Sequence, residues 1–187
     1  MLRDVYQRAG VLNTGSYLTT VNELCDQLPA LRPELLQYVT SHLRTRVDLS
    51  GVTKVLVEEE KGAPIGTAFS LLTGLPLAMA RHYPYEFPSR TISFSSEYDR
   101  NTLNVNGIEP GDRVCVIDDT LSTGGTVAAL IEAVRDMGAE VTEVAVVVEK
   151  AGNGGRELLE SELGVPVRSL LTIKVAPDEV HVVEGIS

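Results

Sequence analysis

A chain of 187 residues, 43% hydrophobic and 22% charged, is long enough to bury a core as a single domain and has the balance of a soluble globular protein. Its 26 acids against 16 Lys and Arg give a net charge of −10, which argues against a nucleic-acid surface, since such surfaces carry a basic footprint. The N-terminus has no signal-peptide pattern, and Cys25 and Cys115 are isolated without metal-ligand spacing, so the sequence reads as a cytoplasmic protein with reduced thiols.

Residues 1–50 carry no strong strand pattern. Gly15-Ser16-Tyr17-Leu18-Thr19 reads as irregular or briefly extended. Pro33 opens a helix as a first-turn proline, with Leu35, Leu36, Val39, Leu43 and Val47 on its apolar face. From residue 53 strands and helices alternate. Lys54–Val57 is a strand, and Glu58-Glu59-Glu60-Lys61-Gly62 is the turn after it. The uncharged run from Gly62 to Ala80 is broken by Pro64, Gly66, Gly74 and Pro76. It reads as a helix over 63–73 and a strand over Leu75–Ala80, not as a membrane span. Residues 81–90 are a loop, and Thr91–Phe94 with Thr102–Val105 form a hairpin around Asp99-Arg100-Asn101. Further strands are expected at Val114–Ile117, Val141–Val148, Val167–Val175 and Val180–Val183, with a helix over 154–163. This alternation predicts a parallel sheet covered on both faces, with ligands at the carboxyl ends of the strands.

The stretch Val114-Cys115-Val116-Ile117-Asp118-Asp119-Thr120-Leu121-Ser122-Thr123-Gly124-Gly125-Thr126 concentrates the chemistry. A buried strand leads into two carboxylates and a small-residue turn. Val127, Leu130, Ile131, Val134 and Met137 then recur at helical spacing up to Gly138. The turn lies at a helix N-terminus, where unpaired N–H groups and the dipole favour an anion, and its glycines and hydroxyls suit a phosphate. Asp118 and Asp119 cannot grip phosphate; they offer acceptors to vicinal hydroxyls. Together these describe a ribose 5-phosphate site. The P-loop pattern and the dinucleotide-fold glycine pattern are both lacking. With lysines scarce, Lys54, Lys61, Lys150 and Lys174 are the cations to follow when a polyanion must bind an acidic protein.

The run from Val114 to Thr126 resembles the signature of the type I phosphoribosyltransferases, which binds the ribose 5-phosphate part of phosphoribosyl pyrophosphate (PRPP). Glu59-Glu60-Lys61-Gly62 resembles the pyrophosphate loop of the purine branch, and Ser95-Ser96-Glu97-Tyr98-Asp99 resembles the flap of the adenine enzymes. Glu149 with Gly155-Arg156-Glu157 resembles a pattern beside the adenine family's base pocket. Asn106-Gly107-Ile108, Gly111-Asp112-Arg113 and Gly138-Ala139-Glu140-Val141 look like the archaeal hypoxanthine/adenine-type subgroup.

The resemblance implies a doubly wound α/β core of about five mostly parallel strands over 51–175, with a hood from 1–50 and 176–187. It implies transfer of a 5-phosphoribosyl group from PRPP to a purine or purine-like base. Asp118, Asp119, Glu97, Lys61 and Arg81 are then the catalytic set. Glu59, Glu60, Gly62 and the loop Thr120, Leu121, Ser122, Thr123, Gly124, Gly125 and Thr126 bind substrate. Mg²⁺ is the expected cofactor, held mainly by substrate oxygens and waters with no dedicated protein cage, and the assembly is a homodimer with neither nucleic acid nor membrane as partner. Two departures stand out. The segment after the second core strand reads Arg81-His82-Tyr83-Pro84-Tyr85-Glu86-Phe87-Pro88, without the lysines usual there. Ser122 stands where the 6-oxopurine enzymes carry an acid. A PRPP-binding sensor without turnover, or a transferase for a modified base such as a deazapurine, therefore stays open beside the purine transferase.

Overall fold

The computed structural model describes residues 1–15, 17–83, 89–95 and 100–186. The chain begins with helix α1 (Leu2–Gln7), an antiparallel pair β1 (Gly10–Asn13) and β2 (Leu18–Val21), and the short helix α2 (Glu23–Asp26). The strand pair was not visible in the sequence. Asn22 caps α2 by accepting hydrogen bonds from the backbone N–H groups of Leu24 and Cys25, at 2.9 and 3.1 Å. Helix α3 (Pro33–Arg46) starts at the expected proline and buries Leu35, Val39 and Leu43.

The alternating part follows as β3 (Lys54–Glu58), α4 (Ala63–Thr73), β4 (Leu77–Arg81), β5 (Arg90–Ser95), β6 (Arg100–Val105) and β7 (Arg113–Leu121). Then come α5 (Gly125–Asp136), β8 (Glu140–Lys150), α6 (Gly155–Glu157) with a π-helical turn (Leu158–Glu162), β9 (Val167–Val175) and β10 (Val180–Gly185). Among the described residues the sheet has eight strands, not five, in the order β10-β9-β8-β7-β3-β4-β6-β5. Its centre, β9-β8-β7-β3-β4, is parallel throughout, as the alternation of strands and helices requires. The additional strands are antiparallel. The β5–β6 hairpin extends the sheet beyond β4, and β10 pairs with β9 at the opposite edge. The C-terminal residues expected in a hood are thus hydrogen-bonded into the sheet as β10.

Both faces of the centre are buried, and residue alternation sorts them. Leu56, Val114, Val116, Val144 and Val146 pack with α5, whereas Val55, Val57, Cys115, Ile117, Ala145 and Val147 pack in the core that also holds buried residues of α1, α3 and α4. Each such Val, Leu or Ile side chain contributes roughly 1.5–3 kcal/mol of burial. The close seat of α4 depends on Gly66, where an added Cβ would fall 2.0 Å from Val57 Cγ1. Among the described residues no helix is long and apolar enough to cross a membrane.

Candidate active site

The carboxyl ends of β3, β4, β7 and β8 converge on a cavity of about 260 Å³. Strand β7 runs on through Asp118 and Asp119 to Leu121, so the acids are not solvent-facing residues beyond a strand end. They belong to the strand, and they are only 8% and 7% exposed. Ladder hydrogen bonds to β8, continuing to Leu121 opposite Glu149, carry the strand past the last apolar residue of the run. Asp118 Oδ1 accepts a 2.8 Å hydrogen bond from the Asp119 N–H, and Thr120 Oγ1 donates to Asp119 Oδ2 at 3.0 Å. Burial first, then the neighbouring charges of Asp119 and Glu58, holds the Asp118 carboxyl well above the usual carboxylate range.

Behind the acids a buried polar file reaches the N-terminal helices. Cys25 Sγ lies 4.0 Å from Thr120 Oγ1 and 3.3 Å from the Tyr6 hydroxyl. Burial and the Asp119 charge push the Cys25 thiol well up, which keeps it protonated and unreactive. Thr19 and Thr20 on β2 also line the cavity, as does Lys150, whose Nζ donates to the Leu18 carbonyl at 3.1 Å.

The loop after β7 closes the other side. Gly124 has φ +81°, and α5 starts immediately after it, so the unpaired N–H groups of its first turn lie by the cavity. Ser122, Thr123, Gly125 and Thr126 line the same wall. The loop is pinned from behind. Gly155 N–H donates to the Ser122 carbonyl at 3.0 Å, and Asn153 Nδ2 donates to Ser122 Oγ at 2.7 Å. A Cβ at Gly155 would lie 2.3 Å from the Ser122 oxygen, so only glycine permits this approach.

Opposite the loop stands the turn after β3. Lys61 Nζ pairs with Asp26 at 2.8 Å, and Arg81 pairs with Glu59 at 2.6 Å while donating to the Tyr83 hydroxyl at 2.9 Å. His82 Nε2 lies 2.9 Å from Glu58 Oε1 and 3.5 Å from Glu60 Oε1. Burial, the largest influence, raises Glu58 above the ordinary carboxylate value, against the opposing pull of the His82 hydrogen bond. Gly62 lets the turn close on the acids, since a Cβ there would lie 3.1 Å from Asp118 Oδ1.

The model of the phosphoribosyl transferase domain matches residues 35–183. The chain belongs to the phosphoribosyltransferase family. A hypoxanthine/guanine phosphoribosyltransferase of Methanohalobium evestigatum is 37% identical over 166 residues, covering 88% of this chain and 85% of that protein. Its counterpart from Methanocaldococcus jannaschii is 32% identical over 181 residues, covering 96% and 98%. Among solved structures, adenine phosphoribosyltransferase from Rhodothermus marinus superposes with a TM-score of 0.75 at 28% identity, covering 91% of this chain and 97% of that one.

In this phosphoribosyltransferase the cavity wall unites Glu60, Lys61 and the continuous run Asp118 to Thr126. Glu59, Gly62 and Arg81 lie in or beside the same turn but do not line the cavity. Glu97, with Ser96, Tyr98 and Asp99 of the expected flap tip, lies outside the described residues, as does the segment 84–88. Glu149 and Arg156 form a bidentate pair, with Ser169 joined to the same carboxylate at 3.2 Å, near the cradle's rear support. The sequence reading did not assign Thr19, Thr20, Cys25 or Asn153 to the site. No local pattern marks the first three, because the fold brings them from a segment distant in sequence. Asn153 carried a usable signal: it sits between two glycines in the loop after an apolar strand.

Proposed function

We propose that this chain transfers the 5-phosphoribosyl group of PRPP to a ring nitrogen of a purine or purine-like base, giving a nucleoside 5′-monophosphate and pyrophosphate. The observation that carries this reading is one cavity with an amide-lined loop at the α5 N-terminus on one wall and the paired acids Asp118 and Asp119 beside it. The purine activities named for the curated relatives support the choice of base class. In this reading residues 122–126 hold the 5-phosphate with backbone N–H groups and hydroxyls. Asp118 and Asp119 accept from the ribose hydroxyls, and so fix the sugar with C1 facing the base. The nitrogen lone pair forms the bond to C1 while the C1–oxygen bond breaks, and its electrons leave with pyrophosphate. The base gives up the proton that its new bond makes acidic. Positioning and charge placement supply most of the catalysis.

The wall also presents Asp118 and Asp119, hard oxygen donors that fit Mg²⁺. Asp118 and Asp119 would hold it through substrate hydroxyls and water. When bound, Mg²⁺ would supply neutralising charge to the leaving pyrophosphate. Lys61 and Arg81 serve the same end of the substrate, once PRPP competes with Asp26 and Glu59 for them. Glu97 on the flap is assigned to shielding the reaction centre. The engagement of both cations by acids is the observation that favours the sensor reading. Incubation with PRPP and Mg²⁺ across hypoxanthine, guanine, adenine and deazapurines is expected to release pyrophosphate with at least one base. Tight PRPP binding without release with any base would replace the enzyme by a sensor.

We also assign the chain to a homodimer, with the exposed Leu71 and Leu72 of α4 as the apolar surface that pairing would cover, and to the cytoplasm. Light scattering is expected to give twice the 20.2 kDa chain mass, and cell fractionation to place the protein with cytosolic markers. A monomer, or recovery with membranes, would reverse the respective assignment.

A further inference from the structure

We propose that Glu58, Glu60 and His82 form a binding site for a transition-type divalent cation of the Zn²⁺ class, at the edge of the cavity that faces the leaving diphosphate. The three ligand atoms lie within 4.8 Å of one another, with His82 Nε2 at 2.9 Å from Glu58 and 3.5 Å from Glu60. Tetrahedral Zn²⁺ with bonds of about 2.0–2.1 Å sets neighbouring ligand atoms about 3.3 Å apart. The side chains therefore need only small adjustments to converge on one ion. Glu58 ends β3, and His82 follows directly on β4. Their strands are locked in parallel register, with Glu58 opposite Ala80, so the ladder fixes two of the ligands. Glu60 is the more exposed third ligand and can swing in.

The ligand chemistry selects the metal. Mg²⁺ favours oxygen donors and keeps its waters, whereas an imidazole with two carboxylates suits Zn²⁺ and its neighbours in the first transition row. Three protein ligands leave a coordination position open, as in catalytic rather than structural zinc sites. All three residues line the cavity, so that position can face a ligand. Electrostatics supply the reason for an ion here. The end of β3 and the turn after it carry Glu58, Glu59 and Glu60 in succession, and the nearby cations Lys61 and Arg81 are engaged by Asp26 and Glu59. A diphosphate arriving at this edge meets carboxylates. A bound dication offsets Glu58 and Glu60 and offers the diphosphate oxygens a Lewis acid. The site itself stands on the three side chains; its use toward diphosphate rests on the transferase reading. Without a metal the same contacts amount to a histidine–glutamate hydrogen bond beside an exposed acid.

The two states are separated by titrating metal-stripped protein with ZnCl₂ in a calorimeter, with neither PRPP nor base present. One equivalent per chain is expected, with Kd at least about tenfold below that for MgCl₂. His82→Ala and Glu60→Gln should each weaken Zn²⁺ binding by at least about tenfold with unchanged circular dichroism. Both positions are at least partly exposed, and should one variant fail to fold the other carries the test. Co²⁺ bound to the wild type should give a visible absorption band that His82→Ala loses. Wild-type protein without saturable Zn²⁺ binding, or binding unchanged in both variants, overturns the site. In a second arm, inorganic pyrophosphate should bind the Zn²⁺-loaded wild type more tightly than the stripped protein, and His82→Ala should abolish that gain. A gain that survives in His82→Ala overturns the role toward diphosphate. Because the first arm uses the metal alone, failure of base-dependent transfer would leave its outcome intact.

Discussion

Gly124→Val is expected to weaken binding of PRPP and of the nucleotide product alike by roughly 100-fold or more, equivalent to about 2.7 kcal/mol. Gly124 sits at φ +81°, a region that a β-branched residue adopts only with strain of about 1–3 kcal/mol. Space is also short. A Cβ would lie 3.2 Å from both the Cα and the carbonyl oxygen of Gly155, and 3.3 Å from Leu158 Cδ2. Two of these three atoms are backbone, so the loop must give way rather than its neighbour. Any retreat turns the first N–H groups of α5 away from the anion they are proposed to hold. Gly74→Val separates strain from function. Gly74 has φ +74° at the end of α4, with nothing within 4 Å of a new Cβ. It should cost comparable stability and leave ligand affinity unchanged. Calorimetry with PRPP and with the nucleoside monophosphate reads both variants. Wild-type affinity for both ligands in Gly124→Val would move the anion away from this loop.

The parallel centre was legible because its strands are buried on both faces. Val114–Ile117 and Val144–Val148 are unbroken apolar runs, and α5 repeats its apolar residues at helical spacing. Where residues alternate with charge or end at a sheet edge, the pattern said less. The acids of β7 are strand residues although their side chains read as turn, since ladder hydrogen bonds outweigh side-chain preference. The β1–β2 pair was missed because β1 is mostly exposed and gives no apolar alternation. Its consequence for the site is large, since β2 and α2 bring Thr19, Thr20 and Cys25 to the wall and Asp26 to Lys61. The candidate anion loop could be read locally because its chemistry lies in consecutive residues. The opposite wall could not, because His82 reaches Glu58 and Glu60 only through the pairing of β3 with β4. The ion pairs of Lys61 and Arg81 were likewise hidden, although both residues had been singled out as cations.

Asp118→Asn should make the protein more stable and a worse enzyme. The carboxyl is buried beside Asp119 and Glu58, with a raised pKa. A carboxyl whose folded pKa lies above its unfolded value of about 3.9 binds more protons folded than unfolded, so its contribution to stability falls as pH rises from there. At neutral pH the native state bears this cost whether the group stays ionised or takes up a proton. Asparagine removes it. Its amide oxygen can still accept from the Asp119 N–H, and its NH₂ faces a carboxylate instead of repelling one. A gain of about 0.5–2 kcal/mol is the usual size when a strained functional group is relieved, and for a chain of this length each kcal/mol raises Tm by about 2–4 °C. The margin over wild type should be small near pH 4 and widen toward neutrality. Function should move the opposite way. Losing the carboxyl acceptor for a ribose hydroxyl costs about 1–3 kcal/mol, or roughly 5–150-fold in kcat/KM for PRPP. Thermal melts across pH and steady-state kinetics on the same preparation test both halves. A lowered Tm would mean that Asp118 is a structural acid held by its neighbours, and unchanged kcat/KM would remove it from the ribose site. The joint result, higher Tm with weaker catalysis, is the one that a purely structural carboxylate has no means of producing.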